Sequence, residues 1–269
     1  MSFCLASMGA RSKADNSSVM RTLLRALYRD FVQYPILTAI RKNNGDILDW
    51  DALRPIYGEA LKRVRFVAIG NPSESGAHIL YYFRQENSLS KYLFVDPLQL
   101  LIRSDRPRAL VCELDHIVFL DDFCGSGIQA CQYSSQLLRR LRRLNSSIRL
   151  SYFPLFATTA GLEVVRANTY FTGVEAVCEL DASFKALDPA SRYFREPYPG
   201  VTREFASEMC RRYGSAIEPQ SPVGFGGCQL LVGFSHNIPD NTLPVFWSEG
   251  NSSTRWTPIF RRYSKHEAW

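Results

Sequence analysis

No two of the 7 cysteines in this chain of 269 residues form a CxxC pair, and their number is odd. A structural zinc site, whose thiolate ligands come in closely spaced pairs, is therefore not expected. Cys112 and Cys178 stand in the apolar runs ALVCEL and EAVCEL, where a free thiol behaves as a small hydrophobe. The reading for the set (Cys4, Cys112, Cys124, Cys131, Cys178, Cys210, Cys228) is reduced, mostly buried thiols. Long apolar runs are missing as well. Stretches such as Ile117–Leu120 fall far short of the ~20 residues that cross a bilayer. The opening MSFCLASMGARSKADNSS has no basic segment followed by an apolar one, so no secretory signal is read and a cytoplasmic protein is expected. The three Asn-Ser-Ser sequons, at 16, 145 and 251, then carry no meaning. No internal repeat or low-complexity stretch is present.

The composition is that of a folded chain, 46% hydrophobic and 22% charged. Its length suits about two domains, or one domain with elaborations. Basic residues outnumber acidic ones by 32 to 26, a net charge of +6. This mild excess favours phosphate-bearing ligands or nucleic acid at long range, and it is equally the surface of an ordinary well-solvated protein.

From Val19 the residues Val19, Leu23, Leu24, Leu27 and Phe31 recur at helical spacing after possible caps at Asn16 to Ser18, and Pro35 is expected to interrupt. Helical pattern resumes over Ile36 to Ile40 and about Asp51 to Lys62. Arg65–Ile69 then reads as a strand running into the turn cluster GNPSESG at 70–76 and a helix through His78 to Phe83, with His78 expected in the core. Lys91–Val95 and Leu110–Leu114 are strand candidates on either side of a basic connection. Ile117–Leu120 is a compact buried strand whose loop, DDFCGSG, opens a helix from about Ile128 to Leu144. Ile148–Ala157 reads as strand, Ala160–Ala167 as helix and Gly173–Leu180 as strand. This alternation predicts an α/β fold with a mostly parallel sheet. Three prolines then break the pattern (189, 197 and 199), a helix follows over about Thr202 to Tyr213, and Gln229–Phe234 is a last strand. The expected organisation is an N-terminal helical segment over 1–60, an α/β core over 61–185 and a C-terminal extension over 186–269.

The sharpest feature is IVFLDDFCGSGIQ, residues 117–129: a buried parallel strand, two carboxylates, and a small-residue loop that starts a helix. In open α/β sheets ligands bind outside the carboxyl ends of the strands. Gly125, Ser126 and Gly127 permit close approach of backbone N–H groups, and the helix N-terminus adds partial positive charge, a combination suited to phosphate. Asp121 and Asp122 beside it can accept from vicinal hydroxyls or hold hydrated Mg²⁺.

The motif resembles the phosphoribosyl-pyrophosphate motif of type I phosphoribosyltransferases. Carried over by position, the resemblance implies that Asp121 and Asp122 contact the ribose hydroxyls and that Cys124, Gly125, Ser126, Gly127, Ile128 and Gln129 grip the 5′-phosphate, with the Ser126 hydroxyl donating. Cys124 is read as a loop position and not as a nucleophile. The family's pyrophosphate loop corresponds to Asn71, Ser73, Glu74, Ser75 and Gly76. That loop departs from the family in having no cation and in carrying Glu74. Arg84, Lys91, Arg103, Arg106 and Arg108 are candidates to supply the charge. Together with the C-terminal GFGGCQLLVGFSHNIPDNTLPVFW, Trp256, Pro258 and Phe260, the chain looks like a bacterial group of phosphoribosyltransferases with a C-terminal extension. The resemblance implies binding of phosphoribosyl pyrophosphate or a nucleotide with Mg²⁺, held indirectly by Asp121 and Asp122. It also implies an effector role in antiphage defence, alongside an ATPase or a reverse transcriptase. A salvage phosphoribosyltransferase and a non-catalytic nucleotide-binding scaffold remain the alternatives.

His236, Asn237 and Asn241 either reach a base or leaving group or shape a turn before a buried Trp247. Arg139, Arg140, Arg142 and Arg143 alternate with leucines in LLRRLRRL. They read as a solvated helix face or as a face for an acidic partner or a nucleic-acid backbone.

Overall fold

The computed structural model describes residues 13–45, 49–70, 75–97, 100, 111–196, 199–234, 237–260 and 262. They divide into two compact units, Ser18–Glu179 and one built on Leu180–Trp269.

In the first unit, α1 (Lys13–Tyr28) does not stop short of Pro35. It passes through a five-residue π turn, Arg29–Gln33, directly into α2 (Tyr34–Asn43), which carries Pro35 in its first turn. A proline has no N–H to donate and crowds the carbonyl four residues back, and the wider π turn relieves both conflicts without ending the helix. Helix α3 (Trp50–Lys62) is capped by Asp49, whose side chain accepts from Asp51 N. Then come β1 (Val64–Ala68) and α4 (Ser75–Glu86). Ile79 and Phe83 form the buried stripe of α4, whereas His78 is exposed, contrary to the core position expected for it. Glu86 at the end of α4 takes Arg21 and Arg25 of α1, at 3.4 and 2.8 Å.

The sheet is completed by β2 (His116–Cys124), β3 (Arg149–Thr158), β4 (Gly173–Val174) and β5 (Cys178–Leu180). Strands β1, β2, β3 and β4 lie in that order, all parallel, and β5 also pairs with β3. Between β2 and β3 runs α5 (Ile128–Leu144), and α6 (Thr159–Asn168) follows β3. One face of the sheet packs Val67, Phe119 and Tyr152 against Leu137, Leu138 and Leu141 of α5 and Leu162 and Val165 of α6. On the other face Phe66 meets Phe83 of α4, and Phe31 of the π turn stacks on Phe153 at 5.0 Å. Burial on both faces explains why β2 reads as an unbroken apolar run.

Four strand expectations are corrected. Lys91–Leu93 is a 3₁₀ turn, and only Phe94 beyond it joins the sheet, as a single parallel bridge to Phe66. At 111–112 the chain is helical, and residue 110 lies outside the described residues. The stretch 173–180 is broken in two beside Pro154 of β3, which has no N–H for the ladder and only accepts, from Val177 N at 3.2 Å. Gln229–Phe234 is reduced to one bridge, Leu230 to Thr242.

The second unit is mostly turns around α7 (Arg203–Ile217), which is capped by Thr202. Ala186, Leu187, Val223 and Leu243 form its buried centre. Trp247 is buried with its indole N–H on Thr242 O at 2.8 Å, and the Arg262 guanidinium lies 4.7 Å over its ring. Among the described residues no helix is long and apolar enough to cross a membrane.

Candidate functional site

Strand order places the site. From β1 the chain crosses through α4 to Phe94 on one side of β1, and later returns to lay β2 on the other side. The direction of winding therefore reverses between β1 and β2, and the crevice outside their carboxyl ends is where doubly wound sheets take ligands. Ile69 N donates to Leu120 O at 3.0 Å, holding the two strand ends together, and Gly70, with φ of +101°, turns the chain away. Asn71, Ser73 and Glu74 lie outside the described residues. Ser75 and Gly76 form the first turn of α4.

At the end of β2 the strand does not stop at the acidic pair. It continues to Cys124, paired with Ala157 of β3, so the loop is only Gly125–Gly127. Successive strand residues point to opposite faces, and the two carboxylates therefore part company. Asp121 shares the face of Phe119 and Tyr152. Its Oδ2 accepts from the Tyr152 hydroxyl at 2.7 Å, and its Oδ1 accepts from Asp122 N at 2.9 Å. Burial, and next the neighbouring Asp122, push the Asp121 carboxyl well above the usual carboxylate range, although the Tyr152 hydrogen bond opposes them. Tyr152 is itself fully buried, and burial together with Asp121 pushes its phenol up as well. Asp122 is half-buried on the opposite face. Burial, then Asp121, push the Cys124 thiol up to about 12, so at neutral pH it is a thiol and not a thiolate nucleophile.

Gly127 is left-handed at φ +76° and precedes α5 as an N-cap without a side-chain hydrogen bond. The first intrahelical bond runs from Cys131 N to Gly127 O, so the amides of Ile128 to Ala130 precede the helical ladder. Ser126 Oγ accepts from Ile128 N at 3.4 Å, which keeps its hydroxyl proton available to donate. Ile128 and Gln129 are exposed, while Cys124, Gly125 and Gly127 are buried.

The loop is fixed from behind by residues that the sequence reading did not single out. Thr158, at the end of β3, donates to Gly125 O at 2.5 Å and accepts from Gly161 N at 2.9 Å. A Cβ on Gly161 would strike Gly125 O, and one on Gly127 would stand 2.5 Å from Gly161 O. The small residues thus let the backbone of α6 pack directly against the loop, a constraint separate from any anion. Thr158 as an N-cap is a readable helix-start signal, whereas the need for glycine at 161 and the Tyr152–Asp121 contact depend on tertiary packing and have no local signature.

In the second unit His236 lies outside the described residues. The buried Asn241 amide donates to Phe225 O at 3.1 Å and to Cys228 Sγ at 3.4 Å, holding neighbouring loops together. Asn237 closes a turn, its carbonyl accepting from Phe234 N at 2.8 Å.

Mg²⁺ prefers hard oxygen donors and typically takes one or two carboxylates together with substrate phosphates. The acidic pair supplies oxygens of that kind, and both oxygens of Asp121 accept hydrogen bonds inside the protein. Among the described residues no group of three or more His, Cys, Asp or Glu could hold a metal by itself. The carboxylate oxygens fit the chemistry of Mg²⁺ held together with substrate phosphates.

The sequence matches the PRTase-CE family over residues 4–262. No curated protein matches. Among solved structures, the orotate phosphoribosyltransferase from Aeropyrum pernix is similar at 15% identity, over 48% of this chain and 67% of that one, with a TM-score of 0.27. The xanthine-guanine-hypoxanthine phosphoribosyltransferase of Helicobacter pylori is similar at 11% identity, over 49% and 83%, with a TM-score of 0.25.

Proposed function

This chain is a member of the PRTase-CE family, and on that premise we propose that it binds a 5-phosphoribosyl group, as phosphoribosyl pyrophosphate or a nucleotide. The observation that carries the reading is the start of α5. Left-handed Gly127, which has no side chain to cap with, opens a helix N-terminus directly beyond a strand that bears two carboxylates, at the point where the sheet reverses its winding. In this reading the 5′-phosphate takes the amides of Ile128 to Ala130 and the Ser126 hydroxyl. Asp122 accepts from the ribose hydroxyls and, through water, holds Mg²⁺ that enters with the pyrophosphate. When bound, Mg²⁺ supplies charge neutralisation for the leaving pyrophosphate. Asp121 is the positioning member of the pair: anchored by Tyr152, it fixes the strand end and the direction of Asp122. Ser75 and Gly76, at the start of α4, contribute to the pyrophosphate contact in this reading.

One observation favours a second reading, binding without transfer. Both oxygens of Asp121 are turned inward, and the 70–76 segment GNPSESG carries no cation to stabilise departing pyrophosphate. The effector role in antiphage defence, with an ATPase or reverse transcriptase as partner, follows from the family resemblance alone and belongs to the same proposal.

The test is thermal unfolding with phosphoribosyl pyrophosphate and Mg²⁺. Ligand at about a hundred times its Kd adds ~2.7 kcal/mol, which for a chain of this size is a rise of ~5–11 °C in Tm. Asp122→Asn and Ser126→Ala should lose most of the rise, and Asp121→Asn should keep most of it. Pyrophosphate release on adding candidate acceptors then separates transfer from binding. No rise with this ligand or with nucleotides would overturn the proposal.

A further inference from the structure

Four of the last six residues of α5 are arginines, and the helix contains no acidic residue. Arg139, Arg140 and Arg143 are exposed and Arg142 is half-buried. Among the described residues none of the four makes an ion pair. Neighbours three and four apart on a helix face one another. The pairs 139/142, 139/143 and 140/143 therefore set like charges side by side, at a cost that no carboxylate offsets.

The helix dipole accounts for only part of this. Arg142 donates to Ser146 O at 3.1 Å just past the helix end, as a C-terminal cation should. Arg139 stands more than a turn inside the helix, where that benefit has faded. Its guanidinium lies 5.8 Å from the centroid of the Tyr170 ring, and Tyr170 is 50% exposed. Arg142 also reaches Tyr170 O at 3.5 Å, tying the aromatic to the helix. Gln136, one turn before Arg139 and Arg140, is exposed and adds an amide donor to the same stripe.

We propose that this face binds single-stranded nucleic acid, with backbone phosphates on Arg139, Arg140 and Arg143 and a base stacked at Tyr170. Planar guanidinium groups grip phosphate oxygens in pairs and stack on rings. An exposed aromatic beside a cationic stripe is the combination that holds unpaired bases without reading their sequence. An acidic polypeptide would use the charge and leave Tyr170 idle. The arginines begin ~16 Å along the helix from Ile128, at 1.5 Å per residue, so the stripe neither needs nor competes with the phosphate loop.

The test is fluorescence anisotropy of the full chain with labelled single strands of about 20 nucleotides, comparing oligo-dT and oligo-U. Three phosphate contacts predict a slope of log K against log salt near about −2, or ~16-fold weaker binding between about 50 and 200 mM salt. Arg139→Gln/Arg140→Gln/Arg143→Gln should abolish binding with no fall in Tm, because glutamine keeps the helix and removes the repulsion. Tyr170→Ala should weaken binding by ~5-fold or more with the slope unchanged. Any of three results overturns the proposal: no binding at low salt, equal binding by the triple variant, or polyglutamate or duplex DNA binding as tightly as the single strand with Tyr170→Ala without effect.

Discussion

At the scale of single residues, the decisive fact is that Asp121 and Asp122, adjacent in sequence, lie on opposite faces of β2, with Asp121 on Tyr152. Asp121 is driven toward its neutral form by burial and by its neighbour. A carboxyl whose folded pKa is raised adds stability that is complete below its unfolded pKa, near about 4, and disappears as pH rises through the folded value. Asp121→Asn should therefore flatten the pH dependence of Tm above about pH 4, leaving the variant at least as stable as wild type at neutral pH. Melting curves across pH decide this, and a wild-type slope retained by the variant would contradict it. His116 has the opposite sign. It is buried against Ser151 at 2.8 Å, and burial, then Arg149, lower it from 6.5 to about 3. The folded state favours its neutral form, so stability is complete above its unfolded pKa and falls as pH drops toward the folded one, at about 1.4 kcal/mol per pH unit. His116→Gln should remove that acid limb in chemical denaturation measured at successive pH values.

At the scale of elements, the loop between β2 and α5 owes its shape to α6 as much as to any ligand. Gly161→Ala would drive a methyl into Gly125 O, a backbone atom that can yield only if the loop moves. Overpacking of this kind costs about 1–3 kcal/mol. The expected outcome is a lower Tm together with loss of the phosphoribosyl pyrophosphate shift, since the amides of Ile128 to Ala130 would be displaced. A variant that melts lower yet keeps the full shift would show that loop position and ligand are uncoupled. The glycines of GSG were readable as an anion loop, but their second role was not, because α6 is more than thirty residues further along the chain.

At the scale of the whole molecule, two compact units carry different kinds of architecture. Ser18–Glu179 is a layered α/β unit with cores on both faces of its sheet. The unit on Leu180–Trp269 is turns around one helix, held by buried donors such as Asn241 and Trp247. The proposed ligand contacts described above lie in the first unit. Hydrogen exchange with phosphoribosyl pyrophosphate and Mg²⁺ should therefore slow most strongly at 124–131. Protection confined to the second unit would refute the assignment.

Much of the first unit was legible in the chain itself. Alternating apolar strands and amphipathic helices announce a parallel sheet, because side-chain period is a local property. The run of apolar residues, paired acids and glycines announces a strand, an anion loop and a helix for the same reason. The second unit was far less legible, since its turns are shaped by hydrogen bonds between distant loops rather than by any period. Sequence by itself determined which residues carry charge, which can bend and where the acidic pair sits in the order of elements. Only the tertiary structure decided that β2 runs on through the pair to Cys124, that Tyr152 takes Asp121 and not Asp122, and that Gly161 needs to be a glycine. Each of these depends on register or close packing between segments far apart in the chain, and no local pattern of residues encodes such distances.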